Sequence, residues 1–409
     1  MVITTKNVNH KPGYKQTRIG EIPEVWEVST VGAEFEVQLG KMLDAEKNTG
    51  LPKPYIGNKA VQWNRIDISD LQTIAMSRSD LERFRLCHGD LLVCEGGEIG
   101  RAAIWEAPIE ECYYQKALHR LRPLRGFNPR LMLALLQYWT DHGKLADYVS
   151  QTSIAHLTRE KFIEVPIPVP APNEQHAIAT VLSDVDALIA SLDRLITKKR
   201  DIKQATMQQL LTGKMRLPGF SAEWKVKKLE EIAEIGMGRT PSRRNQTYWG
   251  RGYKWLSIAD LKSKHVFETK EEITALVVSD MTVIPKGTLV MSFKLTIGKL
   301  AFAGCDMYSN EAICSFTKLR ADAGYLYYIL GQTDFSLYGK QAVKGYTLNT
   351  DSLSSVEILY PEIPEQQAIA AILSDMDAEI VALEQKRDKT RALKQGMMQE
   401  LLTGKTRLI

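Results

Sequence analysis

The line EQHAIATVLSDVDA, which begins at Glu174, returns as EQQAIAAILSDMDA at Glu365. Laid over one another with a constant offset of 191 and no gap, residues 174–217 and 365–408 share 25 identities in 44 positions, and both close on LLTGK. The correspondence extends backwards, where 153–170 lies over 344–361 with Leu157 on Leu348, Phe162 on Leu353 and Pro170 on Pro361. With an offset of 198 it also reaches the front of each half. There Trp26, Val28, Val37 and Gly40 fall on Trp224, Val226, Ile235 and Gly238, and GDLLVCEGGEIGR (89–101) falls on GTLVMSFKLTIGK (287–299). A chain written twice folds twice, so two copies of one unit of about 200 residues are expected, which is also the domain count its length suggests.

Within the repeated line the apolar positions Ile178, Leu182, Val185, Ile189, Leu192 and Ile196 step by four and three, and the second copy repeats the rhythm with Ile369, Leu373, Met376, Ile380 and Leu383. That spacing predicts a coiled-coil seam. Proline-rich approaches (PIPVPAPNE and YPEIPE) fix the helix starts, Glu174 and Glu365 suit the first turn, and Gly213 and Gly404 stand where a left-handed terminator is expected. Each helix should then run about 39 residues, or roughly 58 Å. Such a stripe would be a liability in water, and the nearest matching stripe is the other copy. Antiparallel pairing would carry the globular parts to opposite ends of a rod of about 60 Å. The basic residues late in each helix (Lys198, Lys199, Arg200, Lys203; Arg387, Lys389, Arg391, Lys394) read as the solvated face of that coil.

Each preceding head mixes strand-like runs (DLLVCEGG, GTLVMSF), one short helix (PRLMLALLQYW, AGYLYYILGQ) and irregular loops. With 44% apolar and 25% charged residues the chain can bury a core in each half. No apolar run approaches the roughly 18 residues of a membrane span and the start lacks a hydrophobic signal core, so a cytoplasmic protein without membrane contact is expected. Five cysteines without a CxxC fit neither a disulfide framework nor a zinc knuckle. A net charge of +4 does not by itself argue nucleic-acid binding, but its local distribution does. Residues 239–254, RTPSRRNQTYWGRGYK, hold five basic residues and no acid, interleaved with Tyr248, Trp249 and Tyr253.

The heads share framework positions, yet Lys41–Arg65 differs in length and residues from its counterpart, read here as Arg239–Trp255. A common frame with different loops points to two sites of one kind with different specificities. Arg and Lys neutralise phosphate, Arg and Asn contact base edges, and flat aromatics pack on sugars or bases. The DNA-binding candidates are Lys41, Lys47, Asn58, Lys59 and Arg65 in the first head. In the second they are Arg239, Arg243, Arg244, Asn245, Tyr248, Lys254, Lys294 and Lys344.

Catalytic signatures are missing. The Asn- or Asp-Pro-Pro-aromatic loop of an adenine methyltransferase does not occur, since Asn128-Pro129 is followed by Arg130, and no Gly-Lys pair has the glycine five positions earlier that a phosphate-binding loop needs. Asp184 with Asp186 and Asp375 with Asp377 lie on the long helices without a nuclease-like Lys or His, and His88, His119 and His156 lack metal-ligand spacing. Neither catalytic nor metal-ligating residues are assigned.

The doubled EQxAIAxxLSDxDA, the LLTGK closing each copy, IPxxWxV at the front and MGRTPSRRNQTYWGRGYKWLSIADL in the second head resemble the specificity subunit of type I restriction-modification systems. In the second head the matching positions are Gly238, Thr240, Pro241, Tyr248, Trp249, Gly252, Trp255, Asp260 and Leu261, with an SxxTIG-like element on Ser292 to Gly298. The first head departs, with LGKMLD and QWNRIDISDL. The resemblance implies an α+β fold in which two homologous target-recognition domains are separated by two long conserved helices forming an antiparallel coiled coil, with a pseudo-twofold relation. On this chain those parts would be 1–170, 171–217, 218–361 and 362–409. It further implies a non-catalytic subunit that reads a bipartite site in double-stranded DNA. Two methyltransferase subunits and two motor-nuclease subunits would be its partners, and these would hold S-adenosylmethionine, ATP and magnesium. Two other readings stay open on the residues: a fused modification methyltransferase, which methyl transfer by the chain alone would reveal, and a coiled-coil scaffold without DNA specificity, which protection of two separated DNA tracts would exclude.

Overall fold

A computed structural model describes residues 12–44, 46, 48–151, 155–294, 296–342 and 345–409. The chain divides into two compact units, Met1–Asp193 with Gln385–Ile409, and Arg194–Glu384. It passes between them only at 193/194 and 384/385, and both points lie inside long helices.

The first unit is built on a four-stranded sheet. Its strands are β1 (Phe35–Leu39), β3 (Leu91–Cys94), β4 (Ala102–Ile104) and β6 (Leu118–Pro123), in the order β4-β3-β6-β1, all pairs antiparallel. A smaller sheet lies beside it, where β2 (Leu51–Ile56) pairs antiparallel with Gln72–Met76 and parallel with β5 (Tyr113–Tyr114). All four residues of β3 are buried because both faces of the sheet are covered. Leu91 and Val93 join the cluster under helix α1 (Pro129–Asp141), while Leu92 and Cys94 join the one formed with Tyr55, Tyr113 and Tyr114.

The second unit repeats this plan. Its main sheet runs β7 (Glu234–Met237), β12 (Ile313–Thr317), β9 (Leu289–Ser292) and β10 (Leu300–Ala303), with His265–Val266 added in parallel at the end. The side sheet pairs β8 (Trp249–Leu256) antiparallel with Glu271–Ile273 and parallel with β11 (Tyr308–Ser309). Helix α3 (Ala323–Gln332) takes the place of α1. The strand-like runs and short helices expected in each head are thus present.

The long helices are α2 (Pro172–Leu210) and α4 (Ile363–Leu401), each of 39 residues, and Gly213 and Gly404 follow them with φ of 69° and 70°. Their direction of pairing can be read inside each unit. In the first, Glu174 at the start of α2 accepts from Arg407 Nε (2.5 Å) and Nη2 (2.7 Å), just past the end of α4, and from Trp26 Nε1 (2.9 Å). In the second, Glu365 at the start of α4 accepts from Arg216 Nε (2.7 Å) and Nη2 (2.8 Å), just past the end of α2, and from Trp224 Nε1 (2.9 Å). The start of each helix holds the end of the other, so the pairing is antiparallel.

The glutamine after each glutamate docks the head helix. Gln175 donates to Pro170 O (2.9 Å) and accepts from Asn128 N (3.0 Å), while Gln366 donates to Pro361 O (2.8 Å) and accepts from Asp322 N (2.8 Å). Asn128 and Asp322 are the N-cap residues of α1 and α3, and their side chains accept from the first-turn amides. The repeated Glu-Gln is therefore one device, used once in each unit.

The seam differs from its sequence reading. Ile178 and Leu182 pack with Leu131 and Leu135 of α1 and with Met398 and Leu401 of α4, and Ile369 and Leu373 pack with Tyr325 and Leu326 of α3 and with Met207 and Leu210 of α2. The first rungs of each stripe thus face a head as well as the other helix. Leu192, Ile196 and Ile380 are buried, whereas Val185, Ile189, Met376 and Leu383 are half-buried.

Ion pairs flank the apolar positions. Asp186 meets Lys394 (2.6 Å) and Asp193 meets Arg391 (2.9 Å); the repeat-related Asp377 meets Lys203 and Glu384 meets Arg200. Most of the basic residues expected on the solvated face are in fact paired across the coil.

Candidate nucleic-acid interface

Equivalent loops converge at one end of each main sheet. Past β2, Gln115 N donates to Ile56 O (3.1 Å) and Lys41 N to Tyr114 O (3.0 Å). Past β8, Asn310 N donates to Leu256 O (3.0 Å) and Arg239 N to Ser309 O (2.8 Å). Here the backbones cross with no room for a side chain. A Cβ on Gly40 would lie 2.3 Å from Gln115 O, and one on Gly238 would lie 2.2 Å from Ser309 O. The loop between β3 and β4 joins the group, with Asn58 Nδ2 donating to Gly96 O (3.1 Å) and Leu157 N to Glu95 O (2.8 Å). In the second unit Leu348 N reaches Phe293 O (3.3 Å) in the same way.

This geometry corrects the alignment of the heads. Tyr55 and Ile56 pair with Tyr113 and Tyr114 as Trp255 and Leu256 pair with Tyr308 and Ser309. The counterpart of Arg239–Trp255 is therefore Lys41–Tyr55 and does not extend to Arg65. YIGNKAV (55–61) takes the place of WLSIADL (255–261), with Val61 and Leu261 buried alike, and QWNRIDISDL lies beyond the match. Identity at these positions is too low for the sequence to show it.

The acid-free basic loop of the second head acquires acids from elsewhere in the chain. Arg243 makes a bidentate pair with Glu271 (2.5 and 2.9 Å) and lies 3.7 Å over the Trp249 ring. Its hydrogen bonds hold the Glu271 carboxyl below the usual range. Lys254 pairs with Glu268 and with Glu272 (2.7 Å), which pushes its ammonium pKa upward. The pairing Glu271–Ile273 strand carries two of these acids to the loop, some 20 residues away in sequence. Asn245 caps the turn that follows it by accepting from Thr247 N (3.1 Å), and Tyr248 packs against the cluster around Trp255. Arg239 and Arg244 are exposed and have no ion pair among the described residues; Lys294 is half-buried, 5.3 Å from the Phe293 ring.

In the first head Lys41 is tied to Asp80 (2.8 Å), which also caps the Arg78–Arg83 helix. Asn58 is held by Gly96, its Oδ1 is buried without a partner, and its carbonyl accepts from Arg101 Nη2 (3.1 Å). Lys59 is exposed on the short turn Asn58–Ala60. Arg65 is not with this group: it lines a cavity with Trp105 and Arg130 of the head and Asp186 of α2. Lys47 and Lys344 lie outside the described residues. Residues that the sequence did not mark are placed at the crossing, namely Gln115 and Lys116 in one head and Asn310 and Glu311 in the other. Among the described residues no group of three or more His, Cys, Asp or Glu is gathered to hold a metal, and no helix is long and apolar enough to cross a membrane.

Residues 23–199 and 221–391 each match the model of the type I restriction modification DNA specificity domain. The MjaX specificity subunit of a type I restriction enzyme from Methanocaldococcus jannaschii is 26% identical over 421 residues, covering 97% of both chains. The MjaIX specificity subunit of the same organism is 33% identical over 164 residues, 38% of each chain. The crystal structure of a type I restriction-modification S subunit from M. genitalium superposes with a TM-score of 0.61 at 16% identity, covering 96% of this chain and 99% of that one. A chain from a study of complex assembly and conformational transition in a type I system gives 0.59 at 18% identity, covering 94% and 99%.

Proposed function

Because the chain belongs to the type I restriction-modification DNA specificity family, with the family's domain present twice, we propose that it reads a bipartite site in double-stranded DNA, one half-site per head. What carries this reading is that one backbone frame presents different chemistry at equivalent places. Lys41 stands where Arg239 does, Asn58 where Ile258 does, Gln115 where Asn310 does, and Lys116 where Glu311 does. Base edges differ in donor and acceptor pattern, so such exchanges alter which base is accepted. Lys59, Arg239 and Arg244, which have no ion pair among the described residues, offer cations to the duplex, whereas Arg243 and Lys254 are already engaged by carboxylates.

On this reading the chain works in the cytoplasm and supplies recognition without catalysis. Methylation of adenine and ATP-dependent cleavage belong to two methyltransferase and two motor-nuclease partners, which hold S-adenosylmethionine, ATP and magnesium. Leu188, Leu195 and Ile202 recur every seven residues along α2 and stay exposed at 43%, 38% and 41%. A stripe of that kind suits a partner's helix. The test is selection of preferred sites from random duplex DNA by the partner-assembled complex. Two short defined tracts separated by a fixed undefined spacer are expected; a single contiguous tract, or no enrichment, would remove the two-headed reading.

A further inference from the structure

The two heads differ most on the outer side of the edge strand β1. In the first head a cleft of about 650 Å³ is lined by Glu36, Glu82, Arg83, Arg120, Arg122 and Arg159, among others. Arg120 lies at its floor with its side chain only 2% exposed. Its Nη2 donates to Gln38 Oε1 (2.6 Å) and faces Glu36 (3.4 Å), and its Nη1 donates to Arg83 O (3.3 Å), but its Nε–H is buried without an acceptor. Arg159 crosses the open edge of β1, its Nε donating to Val37 O (2.7 Å). Arg83 lies over the Phe84 ring, and neither Arg83 nor Arg159 has an ion pair among the described residues. Arg122 is neutralised by Asp90 (2.6 Å), and Glu36 is matched by Arg120, which leaves Glu82 against two exposed guanidinium groups.

Three of these arginines have no counterpart in the second head, although Glu36 is repeated there as Glu234. Registered on the same strand pairs, Arg120 becomes Ser315, Gln38 becomes Gly236 and Arg122 becomes Thr317, while Arg159 becomes Thr350 by the offset of the repeat. Ser315 donates to Gly236 O (3.5 Å). A buried guanidinium with an unused donor, beneath two unpaired ones, is costly for a fold that needs only β1 held to β6. The backbone ladder does that in both heads.

We infer that this cleft is a contact site for the phosphate backbone of DNA, present in the first head alone, so that the two heads grip the duplex unequally. The inference rests on the DNA-reading function proposed above. The cleft adjoins the candidate loops through Leu39, which lines it, and the following Gly40 and Lys41. Guanidinium groups suit a phosphate diester because they donate in pairs and stay charged at any physiological pH.

The experiment compares the parent complex with a R83Q/R159Q variant, leaving Arg120 in place, and measures affinity for the selected site and for a scrambled duplex over a range of salt. Each lost phosphate contact lowers the slope of log K against log salt by about 0.9, so a reduction of about 1 to 2 is expected, with an equal loss on both duplexes and the half-site sequence unchanged. An R83K/R159K variant should restore most of the slope. An unchanged slope in a variant that melts like the parent would overturn the inference, as would a loss confined to one base position. Stabilisation of the parent and not the variant by inorganic phosphate, with equal DNA slopes, would mark a small-anion site and overturn it too. Failure of the parent itself to prefer a bipartite site would instead sink the underlying reading.

Discussion

At the scale of residues, the charged groups that matter most are those taken out of water. Glu174 is 4% exposed and is held by Arg407 and Trp26. Burial alone would raise its pKa, but those partners outweigh burial and hold it below the usual carboxylate range. Glu174→Gln leaves Arg407 and the Trp26 indole without their charge partner and should cost about 3 kcal/mol, the low end for breaking a buried pair. For a unit of this size that is a fall in Tm of the order of 10 °C by calorimetry. A lowered folded pKa gives stability that is present above the unfolded value and lost as pH falls through the folded one. The variant should therefore lose less than the parent between about pH 5 and pH 3.

His119 carries the same sign through a different cause. It is fully buried, its Nε2–H donates to Leu157 O (2.7 Å), and burial pushes its pKa down from 6.5 to about 4. The unfolded chain takes up a proton first. The neutral ring thus contributes stability above pH 6.5 that drains away between 6.5 and about 4, by about 3 kcal/mol at the limit. His119→Gln keeps a donor for Leu157 O and should flatten the stability profile across that window. An unaltered profile in urea titrations would show that other groups set it.

At the scale of elements, the chain crosses from one unit to the other inside α2 and α4, and the ion pairs along them are spaced by the repeat. A seven-residue insertion keeps the seam in phase, which a four-residue one does not. Inserted after both Asp193 and Glu384, it lengthens the helices by about 10 Å, close to three base pairs at about 3.4 Å each. The preferred spacer should grow by about three base pairs with both half-site sequences retained. Some affinity should be lost, because three base pairs also rotate one half-site by about 100°. Site selection that returns the original spacer from a folded double-insertion complex would reduce the helices to a brace.

At the scale of the whole molecule, specificity should be modular, because the frame of each head is complete within its own unit. Replacing residues 1–150 with the equivalent segment of a relative should change one half-site and leave the other, with the spacer unchanged, in the same selection assay. A change in both halves would mean that the heads do not read independently.

The repeat, its two helices of equal length, their terminating glycines and the strand and helix content of each head were legible in the sequence, because they rest on local periodicity and on identity between the copies. The roles of Glu174, Gln175 and Arg407 were visible only as repetition. Their partners are Trp26, Asn128 and the far end of the other helix, separations of 47 to 233 residues that no local pattern encodes. The candidate loops fared worst for the same reason. The stretch 239–254 contains no acid, yet a neighbouring strand brings Glu271 and Glu272 onto Arg243 and Lys254, and Arg65 is carried away to the side of α2. Charge along a chain is a one-dimensional property, whereas the field at a surface depends on which strands pair, and that is decided by the packing of the sheets.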